Sequence, residues 1–174
     1  MIICFIIFCQ FYSLSGQEAQ YPIVKEYGGI YKIEKATVLP DNNLDYRIVI
    51  DIVSGPDSPE QLNPALNNVA RLMNLHGLGG IQPGKIEIVL AIHGKATVAV
   101  VDNDAYLKRF NVDNPNLGLI DHLKKAGVKL TVCGQSLLGS EIDPAEVNPD
   151  VEIALSMLTT VTTYQLRGFA FLRF

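Results

Sequence analysis

Two hydrophobic periods alternate along this chain. Residues 46 to 53, YRIVIDIV, are apolar at 48, 49, 50, 52 and 53, a near-continuous run that predicts a strand buried on both faces. Asn63 follows as an N-cap with Pro64 at the first helical position, and Leu62, Leu66, Val69 and Leu72-Met73 recur at helical spacing. That pattern predicts a helix stopped by Gly77. Residues 85 to 92, KIEIVLAI, predict a second strand running directly into His93-Gly94. The next stretch, ATVAVVDNDAYLKRF, has strand composition first and helical composition second, and reads as a helix or turn. Asn116 is placed to cap a helix carrying Leu117, Ile120 and Leu123 and closed by Gly127. Residues 128 to 133 predict the third strand, and Asp143-Pro144-Ala145-Glu146 a short capped helix. From 151 to 167 the apolar positions 151, 154, 155, 158 and 161 fall at helical spacing. Thr159, Thr160, Thr162 and Thr163 weaken that helix intrinsically, so packing must hold it. Gly168 stops it, and FAFLRF predicts a last strand.

Strands alternating with helices give an α/β fold, a single three-layer α/β/α domain over residues 45 to 174 with a mostly parallel sheet covered on both faces. Residues 17 to 44 mix glycines with a Pro-Asp-Asn-Asn turn and read as an N-terminal arm, a short hairpin lying on the domain or on a neighbouring subunit. Residues 1 to 16 stand apart. Nine apolar residues, Met1 to Cys9, precede small and polar ones, the length of a signal-peptide core and far short of the ~20 that span a bilayer. Ser13 and Ser15 suit cleavage near Ser15 or Gly16. The segment lacks a Lys or Arg ahead of the apolar core, which leaves a misassigned start or a buried N-terminal strand as the alternatives. Export to the periplasm or beyond is the expectation; without a real signal the protein stays cytoplasmic. Cleavage removes Cys4 and Cys9 and leaves Cys133 with no internal disulfide partner. Ile6-Ile7-Phe8 before Cys9 makes lipidation a poor fit.

A chain of 174 residues with 48% hydrophobic and 18% charged residues is long and apolar enough for one packed core. Its 14 basic residues are scattered over a net charge of -4, so nucleic acid is not an expected partner. GGIQPGK (79 to 85) mimics a phosphate loop, but Ile86 stands where Ser or Thr would hold Mg²⁺, and a strand follows instead of a helix. Gly134 to Gly139 is one residue too long for a nucleophile elbow. His76, His93 and His122 show no metal-ligand spacing, and no GxGxxG is present, so neither a metal nor a cofactor is called for.

What remains is chemistry at strand ends, where ligands collect in open parallel sheets. His93 ends the second strand and Cys133 the third. Gly134 permits close backbone approach, Gln135 and Ser136 offer hydrogen bonds, and a helical turn starting there would favour a thiolate. His93 would act as a proton carrier or cationic neighbour. The alternatives are a small buried Cys133 and a His93 that bonds a loop carbonyl.

The segments VLAIHGKA, KKAGVKLTVCGQSL and VEIALSMLTTVTTYQLRGFAFLRF resemble the DsrE/DsrF-like (YchN-like) family of small sulfur-relay proteins, over roughly residues 45 to 174. The matching pieces are His93-Gly94, Gly127 with the strand into Cys133, and Gln165-Leu166-Arg167-Gly168. The resemblance implies a parallel five-stranded α/β/α sandwich assembling into homo-trimers or hexamers. It also implies that Cys133 accepts sulfur as a persulfide and passes it between a donor and an acceptor protein, a sulfurtransferase-like role. On that reading Cys133 and His93 do the chemistry, and Gly94, Gly134, Gln135 and Ser136 line the ligand site. The rival expectation is an exported oligomeric binding module with no sulfur chemistry.

Overall fold

The structure, a computed structural model, describes residues 17–174; the leader expected at 1–16 lies outside the described residues. Five strands, β1 (Tyr46–Ile52), β2 (Ile86–Ile92), β3 (Lys129–Cys133), β4 (Glu152–Ala154) and β5 (Ala170–Arg173), form one sheet in the order β4-β3-β2-β1-β5. Every pairing is parallel. The fold is therefore α/β with a five-stranded parallel sheet, as the alternation of periods and the resemblance both predict.

The chain order explains how the helices distribute. From β1 to β4 the strands step in one direction across the sheet, through α1 (Pro64–Leu78), α2 (Asn103–Phe110), α3 (Leu117–Lys125) and α4 (Gly134–Gly139). Right-handed crossovers place all of these on one face. The return from β4 to β5, beside β1, runs the other way through α5 (Met157–Leu166) and covers the opposite face. The core divides accordingly. Ile48, Ile50, Ile52, Ile88, Leu90, Ile92, Leu130 and Val132 pack with Leu66, Val69, Met73, Leu119, Ile120, Leu123 and Leu137 of the first four crossovers. The alternating positions Val49, Val89 and Ala91 pack with Val161 and Phe169, with Met157 and Tyr164 against them.

Several local expectations change. The helix predicted over 151 to 167 is β4 followed by α5, which begins after Ser156, whose hydroxyl accepts from the Leu158 amide. Thr160 and Thr162 hydroxyls donate to the carbonyls of Ser156 and Leu158, the local bonding that lets threonines persist in this helix. Helix α1 passes through Gly77 and ends at Leu78. Gly77 is there for a crossing: an added Cβ would lie 2.7 Å from Ile23 Cγ1 of the arm. Asn116 does not cap α3 with its side chain; its Oδ1 accepts from the Asn63 amide at 2.7 Å, tying two loops together. The ambiguous segment is a 3-10 turn, Gly94–Val100, followed by α2.

The arm lies on α1. Gln20 and Ile30 form an antiparallel bridge, and Val24 and Ile30 are buried. The fully buried Asn74 of α1 holds it: Oδ1 accepts from the Ile23 and Val24 amides, and Nδ2 donates to the carbonyls of Val24, Tyr27 and Gly28.

Candidate functional site

The connection leaving β3 goes to the face of α4, and the connection leaving β4 goes to the face of α5. Adjacent strands whose connections diverge open a crevice at their carboxyl ends, where parallel sheets bind ligands. Cys133 is the last residue of β3, and Ser156 and Met157 begin α5 just past β4. The thiol therefore stands beneath that divergence, buried and outside the lining of the pocket beside it.

Strand register sets its neighbours. Ile92 pairs with Val132, so His93 and Cys133 each lie one residue past the same rung, on the sheet face that carries Ala91 and α5. Asp51 pairs with Ala91 on one side and with Arg173 on the other. His93 Nε2 lies 2.5 Å from Asp51 Oδ1, and Arg173 Nε lies 3.4 Å from Asp51 Oδ2. A polar row thus crosses the carboxyl edge of the sheet: Arg173 of β5, Asp51 of β1, His93 after β2, Cys133 of β3 and Ser156 after β4. Among the described residues no hydrogen bond joins His93 to Cys133.

Cys133 is 4% exposed, yet its surroundings are not apolar. Burial pushes the thiol pKa up, but the Met157 amide, the Ser136 hydroxyl and amide and the Ser156 hydroxyl together outweigh it and hold the thiol below its ordinary value. The Cys133 Sγ to Ser156 Oγ distance is 3.9 Å. These donors favour the thiolate, the nucleophilic form.

The other expected residues have definite places. Ser136 bridges the two strand ends, since its hydroxyl also accepts from the Gly94 amide at 3.4 Å. Gly94 takes the left-handed conformation (φ 56°) that turns the chain out of β2. Gln135 Nε2 donates to the Leu155 carbonyl at 3.5 Å, and its side chain lines a pocket of about 350 Å³ with Leu137, Leu138, Pro144, Ile153 and Leu155. Gly134 lets β3 and β4 approach: a Cβ there would stand 2.9 Å from the Ala154 carbonyl oxygen. Gly134→Ala is expected to destabilise the fold by about 1–2 kcal/mol, as overpacking against backbone does, read by thermal melting. An unchanged melt would show that β4 yields freely.

Sequence reasoning missed Asp51, Ser156, the Met157 amide and Arg173. Asp51 had a signal: it is the one charge inside the doubly buried run IVIDIV, and a carboxylate there demands a partner. Ser156 had one as well, as a serine capping a helix, concealed by starting that helix six residues early. Among the described residues no three His, Cys, Asp or Glu side chains cluster as metal ligands, and no helix is long and apolar enough to cross a membrane.

Solved structures that share the fold include two of shorter chains. A protein of unknown function from Methanobacterium thermoautotrophicum, MTH1491, superposes with a TM-score of 0.57 at 20% identity, covering 74% of this chain and 99% of that one. The ychN protein of E. coli superposes at 0.51 with 18% identity and the same coverage, 74% and 99%. At these identities the likeness concerns fold alone. No curated protein matches the sequence. Residues 47–174, however, match the DsrE/DsrF-like family. That span takes in all five strands except Tyr46, and every residue of the polar row. The chain belongs to the DsrE/DsrF-like family, which is associated with sulfur relay.

Proposed function

We propose that the protein is a sulfur carrier that holds a persulfide on Cys133. The observation that carries this reading is the place of the Cys133 thiol, on the last residue of β3 where the connections of β3 and β4 diverge, with Ser156 Oγ 3.9 Å away. Its polar neighbours hold the thiol below its ordinary pKa against the effect of burial. The Cys133 thiolate attacks the sulfane sulfur of a polysulfide or thiosulfate. A bond forms from Sγ to that sulfur, the donor's own bond to it breaks, and the donor leaves with the electron pair as a shorter polysulfide or as sulfite. An acceptor thiolate then attacks the outer sulfur and releases Cys133. The hydroxyls and amides that favour the thiolate stabilise the persulfide anion as well. Burial shelters it from oxidation, which matters if residues 1 to 16 direct export.

Homo-oligomeric assembly belongs to the same proposal. Leu158 and Leu166 on α5 and Phe171 on β5 are exposed on the face that α5 covers, and a subunit contact would bury them. The second reading, a binding module without sulfur chemistry, is favoured by the 4% exposure of Cys133.

The pH dependence of iodoacetamide reaction with the native protein separates the two. The folded thiol is held below its unfolded value, so the thiolate persists to lower pH in the folded state. The rate should therefore rise through an inflection below the ordinary thiol value of about 8.5. By linkage, the same shift contributes stability above the unfolded pKa that is lost as pH falls through the folded one. A thiol that reacts only after denaturation would leave the binding module as the better reading.

A further inference from the structure

Resting on Cys133 as the sulfur carrier, we propose that Asp51 is a positioning residue that, held by Arg173, fixes the His93 imidazole as proton acceptor for the Cys133 thiol. Asp51 is a carboxylate 4% exposed in the central part of the sheet, between two partners on neighbouring strands. A carboxylate only accepts hydrogen bonds, so the His93 nitrogen 2.5 Å from Oδ1, Nε2, carries the hydrogen. In the neutral ring Nδ1 is then the nitrogen with a free lone pair. His93 cannot swing away while its amide donates to the Ile52 carbonyl at 2.9 Å and its ring is bonded to Asp51. Cys133 is its lateral neighbour by register.

The step balances without a redox partner beyond the sulfane donor. The thiol S–H bond breaks and an N–H bond forms at Nδ1. The freed sulfur pair attacks the sulfane sulfur, and the departing donor sulfur takes the proton from His93. The charged and titratable groups that flank the ring across the strand ends are Asp51 from β1, Arg173 from β5 through that carboxylate, and, by register and beyond hydrogen-bond distance, Cys133 from β3. At this edge α4 and the start of α5 supply the hydroxyls of Ser136 and Ser156.

The test compares iodoacetamide alkylation and polysulfide loading of the full chain with those of Asp51→Asn, His93→Gln, the double variant and Arg173→Gln. Asp51→Asn should slow both reactions about ten-fold, the low end for a positioned acid–base group. The double variant should be no slower than His93→Gln alone, and the alkylation pH profile should move to higher pH in both single variants alike. A merely structural Asp51 would lower the melting temperature and leave that profile in place. The proposal is overturned if Asp51→Asn slows the His93→Gln protein as much as it slows the wild type. If Asp51→Asn does not fold, Arg173→Gln decides, because its side chain is 63% exposed. A measurable slowing with a shifted profile supports the proposal, and wild-type rates with a wild-type profile overturn it. Wild-type protein that takes up no sulfur while the alkylation coupling persists would sink the carrier reading and leave the Asp51–His93 coupling standing.

Discussion

Asn74→Ala should lower the unfolding free energy by about 3 kcal/mol, since it leaves a set of buried amides and carbonyls without partners at roughly 1–3 kcal/mol for each one that water cannot reach. Asn74 makes five hydrogen bonds to the arm between Ile23 and Gly28, and the side chain is fully buried. Alanine fills less space and satisfies none of these groups. Against a typical total of about 5–15 kcal/mol, a loss of that size should depress the melting temperature by roughly 10 °C. Limited proteolysis shows where the loss falls. Rapid cleavage near residues 23 to 28 with an intact β-sheet core would mean that the arm detaches alone. A melt within a degree or two of the wild type would show that the arm contributes nothing to the fold.

The second large effect concerns sulfur. Cys133→Ser should reduce sulfur uptake and transfer to the background level, because serine at that place cannot form a persulfide. Ser136→Ala should retain transfer but slow it about ten-fold, the equivalent of the roughly 1.5 kcal/mol contributed by one hydrogen bond to a charged group. Ser136 supplies both a hydroxyl and an amide to the thiol, and its hydroxyl also accepts from Gly94. The variant keeps the amide, so the thiolate loses part of its support. Both variants are small changes at side chains with polar neighbours and should melt close to the wild type. Transfer to a small acceptor such as cyanide reads the rates. Undiminished transfer by Cys133→Ser would exclude Cys133 as the carrier.

The legible parts of this fold were the elements with strong periods. β1, β2, β3 and α1 announced themselves because their apolar residues are buried, on both faces for the central strands. The final strand was legible from its composition after Gly168, although its residues are largely exposed. β4 did not. It is three residues long at the sheet edge and largely exposed, so burial imposes no alternation on it. Val151, Ala154, Leu155 and Leu158 then happen to fall at helical spacing across a strand, a loop and a helix start. That coincidence concealed the Ser156 cap and with it half of the donors around Cys133.

The site was legible to the same depth. His93 and Cys133 could be placed at strand ends, because each follows an apolar run. Their lateral relation needed the register of Ile92 on Val132, which no local pattern specifies. Asn74 was invisible for a similar reason: a polar residue within a helix acquires meaning only when a segment some fifty positions earlier crosses it.

Intact-mass spectrometry of the protein after incubation with polysulfide, beside Cys133→Ser, tests the central claim most directly. Sulfur added to the wild type, absent from the variant and removed by a thiol reductant, is the predicted result. An unmodified wild-type chain, or equal addition to both proteins, would contradict it.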